Sequence, residues 1–182
     1  MANREALREL QIRLAERLAA SRTEARAASW LAFECAGQGV LVPLPTAGEI
    51  FPLSALQAVP HTQPWFMGVA NLRGLLHGVV DLAAFLGLRE PLQAAVLRDK
   101  LREQARLLAF NPGLDTHCAV LVDRLSGLRG AHQLRRVEDQ AADPGRPRFA
   151  PALWSDAQGR SWQEIDLAAL ARHEQFLAIA AT

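Results

Sequence analysis

Short apolar segments separated by glycine and proline dominate the chain after Trp30, and they constrain its fold more than any other feature. Four pairs of such segments flank compact turns, and each pair predicts a β-hairpin. The turns lie at residues 36–39, 73–74, 111–113 and 156–159. Hairpins at short intervals, with little long helix between them, predict small β-barrels. Because they fall on both sides of a mixed stretch, 90–101, they also indicate two subdomains.

Helical patterns lie mainly near the ends of the chain. Leucines at three- and four-residue steps predict an amphipathic helix over residues 3–28, which either docks on its own domain or forms a short coiled-coil seam. Short helices are predicted at 82–86, after Asp81 as N-cap, and near 166–172 and 173–179. The leucines of the N-terminal stripe are Leu7, Leu10, Leu14 and Leu18.

Charge and hydropathy argue against several classes of protein. Twenty Lys and Arg against nineteen Asp and Glu leave a formal charge of +1, without the basic excess of a general nucleic-acid binder. The longest uncharged stretch, 50–72, has the length of a bilayer span, but its prolines and polar side chains argue against membrane insertion. The N-terminus lacks the apolar run of a signal peptide, so we expect a cytoplasmic protein.

Residue types that carry catalysis or bind metals are scattered along the chain. The five His and two Cys form no metal-binding spacing, and no phosphate loop is present, so we expect neither a metal nor a cofactor. Cys35 and Cys118 are interpreted as small buried hydrophobic residues. Two alternatives stay open. One is a small-molecule-binding or catalytic pocket between the subdomains that uses Cys35, His117 or Glu49, and the other is a homo-oligomer formed through the N-terminal helix.

The densest passage is PWFMGVANLRG at residues 64–74, followed by VVDL at 79–82. It resembles the signature of CheW-type coupling proteins, in which an apolar or aromatic lead precedes G-V-x-N-L-R-G and an apolar strand that ends in I-D-L. AGEI at 47–50 falls where that family has a V-x-E-I strand, and AVLVD at 119–123 is similar to its G-I-x-V-D strand. The resemblance covers about residues 29–172.

This resemblance implies a mainly β fold of two intertwined five-stranded SH3-like β-barrel subdomains, with an added N-terminal helix and short C-terminal helices. Residues 1–28 would form the helical extension and 29–180 the CheW-like domain, with the chain crossing between barrels near 88–103. CheW-type proteins are adaptors without enzymatic activity. They join the cytoplasmic hairpin tip of a methyl-accepting chemoreceptor to a CheA-type histidine kinase in signalling arrays at the membrane.

Departures from the commonest family pattern make the chain more similar to the PilI branch of type IV pilus (twitching) systems. These are His77-Gly78, Phe51-Pro52 and the N-terminal helix, which is a candidate site for a pilus-specific partner. A flagellar-type chemotaxis adaptor is the alternative.

The family resemblance also implies a surface that binds the receptor and the kinase. Glu49 and Arg73 are expected to form the opposed ion pair of the family and to pre-set the groove for the receptor tip. Gly68 would allow a partner backbone to approach closely, or the chain to adopt a positive φ. The full set of expected binding residues is Glu49, Ile50, Trp65, Gly68, Val69, Asn71, Leu72, Arg73, Gly74 and Asp81.

Overall fold

The computed structural model describes residues 28–91, 103–137 and 146–181, and within these ranges the fold is mainly β, as predicted. Three one-turn helices accompany the strands: α1 at Leu82–Phe85, α2 at Leu167–Leu170 and α3 at Glu174–Leu177. The predicted N-terminal helix lies outside the described residues. The strands are β1 Ala28–Cys35, β2 Gln38–Pro43, β3 Ala47–Pro52, β4 Phe66–Leu72, β5 Leu75–Asp81, β6 Arg106–Phe110, β7 Cys118–Val122, β8 Arg124–Gly130, β9 Leu134–Arg136, β10 Leu153–Asp156 and β11 Ser161–Glu164.

These strands form two sheets. The six-stranded sheet has the order β8-β1-β2-β11-β10-β9, and the five-stranded sheet has the order β3-β6-β7-β5-β4. Neighbouring strands are antiparallel except for the β2–β11 and β5–β7 pairs, which are parallel. The chain therefore changes sheet after β2 and again after β7. The predicted crossing near 88–103 includes 92–102, outside the described residues; β5 and β6 on either side of it share one sheet.

The four predicted hairpins are confirmed, because local turn chemistry specifies them. In the β4–β5 hairpin, Arg73 and Gly74 have φ values of 51° and 85°, the two positive values that a type I′ turn requires. Strands β1–β2, β6–β7 and β10–β11 also pair antiparallel. Strand β8 was not predicted: it pairs with β1 through two register shifts, so its sequence lacks regular alternation.

One large apolar core joins the two sheets, and each sheet buries a smaller cluster on its other face. Phe33 of β1, Leu108 of β6 and Val120 of β7 belong to the shared core. Alternate residues such as Ala32 and Leu107 belong to the smaller clusters. Because these strands are buried on both faces, they read as continuous apolar runs, and each fully buried large side chain contributes roughly 1.5–3 kcal/mol.

Charged side chains surround the indole of Trp162 on the six-stranded sheet, where it pairs with Trp154 across β10–β11. Trp162 is fully buried, and its Nε1 donates a hydrogen bond to Asp156 Oδ2 at 2.9 Å. The Arg160 guanidinium lies 4.6 Å from the ring centroid. This hydrogen bond lowers the pKa of the Asp156 carboxyl.

Glu34 of β1 binds two arginines at one end of the six-stranded sheet: Arg124 of the neighbouring strand β8, and Arg160, which immediately precedes β11. Its Oε1 lies 2.8 Å from Arg124 Nη2 and 2.6 Å from Arg160 Nη2. The hydrogen bond from Arg124, joined by that from Arg160, lowers the pKa of the Glu34 carboxyl below its ordinary 4.5, although burial opposes the shift. A carboxyl with a lowered folded-state pKa stabilises the fold above its unfolded pKa, and this stability is lost as the pH falls through the folded value.

We therefore expect Glu34→Gln to lower the free energy of unfolding at pH 7 by roughly 1–2 kcal/mol, since the arginines are partly exposed. The difference from the wild type should shrink as the pH falls below 4.5, where the carboxyl of the unfolded chain becomes protonated, and should be lost once the pH has passed through the lowered pKa of the folded state. Urea unfolding between pH 7 and pH 3 measures both effects. Two parallel curves of stability against pH would contradict the role assigned to Glu34.

Candidate protein-docking surface

The predicted ion pair between Glu49 and Arg73 is present and lies at the surface. Arg73 Nη2 is 2.7 Å from Glu49 Oε1, and the two side chains are 75% and 44% exposed. Glu49 belongs to β3 and Arg73 to the β4–β5 turn, so the pair joins opposite edges of the five-stranded sheet. At this exposure the pair contributes only about 0–1 kcal/mol to stability.

A backbone bridge beside this pair brings the same two edges together. Gln57, which follows β3, donates its N–H to the Val69 carbonyl at 2.8 Å and accepts from the Val69 N–H at 2.9 Å. Gly68 has a φ of 120°, and a Cβ there would overlap the Gln57 carbonyl group. Gly68 was expected either to adopt a positive φ or to let a partner backbone approach closely. The structure shows the positive φ, and the backbone that approaches Gly68 closely is that of Gln57 in the same chain.

The β4–β5 turn is shaped by its own residues and presents Arg73 to solvent. The Gly74 N–H donates to Asn71 Oδ1 at 2.7 Å, which fixes the turn. Asn71 and Gly74 thus position Arg73. Because a non-glycine residue at positive φ costs of order 1–3 kcal/mol, Arg73 is held in a strained conformation that glycine would adopt freely.

Two leucines that follow the turn are exposed, and the sequence pattern did not single them out. Leu75 is 55% exposed and Leu76 is 64% exposed. Strand β7 pairs with β5 only from Gly78 onward, so the start of β5 extends past its neighbour. Exposed apolar side chains beside a charged rim are typical of protein interaction sites. Because successive strand residues face opposite sides, Leu75 and Leu76 lie on the two faces of the exposed hairpin tip. We call the residues around this tip, Glu49, Arg73, Leu75 and Leu76, the docking surface.

Several other residues predicted to bind the partners also make contacts within the fold. Leu72 is buried, and Ile50 is half-buried against the shared core. Trp65 lies at the opposite end of the hairpin from Arg73, where its carbonyl accepts from the Asp81 N–H at 2.9 Å. Its ring lies edge-on to Phe85 at 5.2 Å. Among the predicted residues, Arg73 is exposed at the turn end of the β4–β5 hairpin and Trp65 is half-buried at the other end, whereas Glu49 and Ile50 belong to β3.

Asp81 lies at the buried end, within a charged cluster that the sequence did not reveal. Its Oδ1 is 2.8 Å from Arg89 Nη2, and Asp123 Oδ1 is 2.8 Å from Arg89 Nη1. Asp123 Oδ2 accepts the Ala36 N–H at 2.7 Å, and Asp81 caps α1 through the Ala84 N–H. Burial alone would lower the pKa of Arg89, but the hydrogen bonds to Asp81 and Asp123 outweigh it and raise that pKa.

The residues of the catalytic alternative lie in separate surroundings. Cys35 belongs to the shared core, His117 packs edge-on against His77 at 5.6 Å, and Glu49 pairs with Arg73. Burial raises the pKa of the Cys35 thiol well above its ordinary value and that of Cys118 to about 12, so both thiols stay protonated at neutral pH. This arrangement gives no support to a nucleophilic site built from these three residues.

The three described ranges hold neither a metal-binding cluster nor a membrane-spanning helix. No group of three or more His, Cys, Asp or Glu side chains there could hold a metal ion. No helix in those ranges has the length and apolar character needed to cross a bilayer.

Together, the two-sheet fold and its exposed hairpin turn define a small β-sheet binding module. Residues 29–175 match the CheW-like domain, and the chain therefore belongs to the CheW-like family. It is 29% identical over 174 residues to the protein PilI of Pseudomonas aeruginosa, a match that covers 92% of this chain and 89% of that protein. The crystal structure of the scaffolding protein TtCheW from Thermoanaerobacter tengcongensis superposes with a TM-score of 0.60 at 13% identity, covering 86% of this chain and 96% of that one.

These comparisons confirm the family predicted from residues 64–74, including its similarity to the PilI branch. The structural match supports the CheW fold, while the division into two five-stranded SH3-like barrels stays a prediction. As a member of this family the chain is a non-catalytic coupling adaptor.

Proposed function

We propose that the chain couples a methyl-accepting chemoreceptor-like sensor to a CheA-type histidine kinase, in a membrane-associated array that controls type IV pilus (twitching) motility. The observation that carries this proposal is the similarity to PilI along 92% of the chain. The CheW-like match begins only at residue 29, and the 8% left outside the PilI match is about 15 residues, so part of the N-terminal extension falls within that similarity. A flagellar-type array remains the alternative.

The docking surface is the proposed binding site for the receptor tip. Apolar side chains of the tip would cover Leu75 and Leu76, and burial of a leucine contributes roughly 1.5–3 kcal/mol. Glu49 would orient the planar guanidinium of Arg73, which leaves donors available for a carboxylate or carbonyl of the partner. Because the pair adds little to stability, its charges are free to serve recognition.

We expect Arg73→Glu to weaken binding of the receptor's cytoplasmic hairpin at least about tenfold, because like charges then face each other at Glu49 and the partner loses its cation. Leu76→Ser should weaken binding about as much through lost apolar contact. Isothermal titration of the purified protein with the hairpin measures affinity, and thermal melting should stay nearly unchanged. Arg135→Glu and Leu128→Ser are matched controls, since both residues are exposed on the other sheet.

A charge swap distinguishes recognition from a purely structural pair. Glu49→Arg combined with Arg73→Glu restores an ion pair of opposite polarity. If the partner recognises Arg73, the double variant stays weak; if the pair only supports the fold, binding returns. Recovery of full affinity in the swap, or equal loss in the control variants, would argue against this site. Repeating the titration with pilus-type and flagellar-type receptors selects between the two arrays.

A further inference from the structure

A cleft of about 540 Å³ opens at the turn end of the β1–β2 hairpin, away from the docking surface. It lies between the start of β2, the segment after α1, and strands β10 and β11. Its lining is mostly apolar and includes Val40, Phe85, Leu86, Leu88 and Leu153. None of the residues that line it carries a charge, which suits an apolar occupant and gives no site for acid–base chemistry.

Part of the apolar lining of this cleft, at Leu88, is exposed to solvent. Its side chain lies at the cleft rim with 39% of its surface exposed, while Phe85 beside it is half-buried. A concave surface of this kind accepts an amphipathic helix, whose residues at i, i+3, i+4 and i+7 fill it with one face. The chain itself contains such a pattern in the leucine stripe at residues 7–18.

The 27 residues before β1 have the length to reach the cleft. Strand β1 begins at Ala28 and pairs Phe33 with Val40 and Cys35 with Gln38, so the cleft begins about 17–23 Å along the strand from Ala28. A helix that runs back beside the sheet at 1.5 Å per residue would place Leu18, Leu14 and Leu10 about 15–27 Å from Ala28. These distances overlap the position of the cleft.

We propose that the leucine stripe of residues 7–18 docks intramolecularly in this cleft. The stripe supplies the apolar occupant, and the Arg and Glu residues on the other faces of the predicted helix remain in water. Neither the cleft nor the leucine stripe takes part in the proposed binding of the receptor. The docking of the stripe and the binding of the receptor can therefore be disproved independently. It also selects docking on its own domain over a coiled-coil seam.

Hydrogen–deuterium exchange on the full chain tests the proposal. Amides of residues 7–18 should be protected, and Leu88→Glu should lower that protection by about tenfold or more although it lies some 70 residues away in the chain. Leu128→Glu, a similarly exposed leucine on β8, should leave it unchanged. Unprotected amides in the wild type, or protection that survives Leu88→Glu, would overturn the assignment. Protection that grows with protein concentration would indicate a second copy and would overturn it too.

Cross-linking provides a second readout that does not require a charge in the cleft. Leu14→Cys with Leu88→Cys should be joined by a short bis-maleimide within one chain, because the native Cys35 and Cys118 are buried and unreactive. Leu14→Cys with Leu128→Cys is the matched control. Linked monomer in the first pair alone supports docking. Equal linking in both pairs, linking in neither, or linked dimers would overturn it.

Discussion

Replacing Arg89 with methionine is expected to lower the free energy of unfolding by roughly 3–5 kcal/mol, because it leaves two buried carboxylates without their cation. The Asp81 and Asp123 side chains are 1% and 14% exposed, and both contact the same guanidinium at 2.8 Å. Methionine preserves much of the side-chain volume, so the loss comes from charge and hydrogen bonding more than from a cavity.

The large effect follows from where this cluster lies in the fold. Asp81 ends β5 and caps α1, while Asp123 lies where the chain leaves the five-stranded sheet for the six-stranded one. Asp123 also accepts the backbone N–H of Ala36 in the β1–β2 turn. Arg89 therefore joins groups from both sheets, and its loss weakens their connection as well as one ion pair.

Urea unfolding at pH 7 measures the change, and a charge-neutral variant gives the control. Asp81→Asn and Asp123→Asn added to Arg89→Met should recover part of the lost stability, because no uncompensated charge is then buried. Arg124→Met, at a largely exposed arginine, should cost much less. A loss of under about 1 kcal/mol in Arg89→Met would mean that water solvates the two carboxylates adequately.

The contrast between Arg73 and Arg89 shows what the sequence could and could not predict. The Glu49–Arg73 pair followed from the resemblance, since both residues stand at motif positions. The Arg89 cluster joins residues 8 and 34 positions away, and no local pattern signals that arrangement. Three of the four hairpin turns carry a glycine at positive φ, namely Gly37, Gly74 and Gly159, and the fourth contains Asn-Pro-Gly. The positive-φ glycine of β8, Gly127, lies inside a strand whose pairing with β1 has two register shifts, so it marks no hairpin turn.

Surface exposure was the other property that the sequence did not specify. The apolar run from Leu75 to Val80 reads as one buried strand, yet its first two residues are exposed because the neighbouring strand begins only at Gly78. In the same hairpin, Trp65 and Asp81 stand in the family motif but lie at the end that packs into the fold. The family motif therefore contains both residues that stabilise the hairpin and residues that the hairpin exposes to solvent.

Gly68 is the motif residue whose substitution is expected to destabilise the hairpin most. We expect Gly68→Ala to lower the free energy of unfolding by roughly 3–5 kcal/mol, combining strain at a φ of 120° with loss of the two Gln57–Val69 hydrogen bonds. The added Cβ would force Gln57 away from β4 and separate the sheet edges that hold Glu49 and Arg73.

Gly74→Ala is the matched control, because Gly74 also has positive φ but has open space where a Cβ would lie. It should lose only about 1 kcal/mol, from backbone strain alone. Urea unfolding gives stability, and receptor titration corrected for the folded fraction gives affinity. If Gly68 acts through its contact with Gln57, Gly68→Ala should lower both stability and receptor affinity, whereas Arg73→Glu should lower receptor affinity alone. A stable Gly68→Ala variant that no longer binds would reverse this assignment, because the Cβ would then be obstructing the partner and Gly68 would belong to the docking surface.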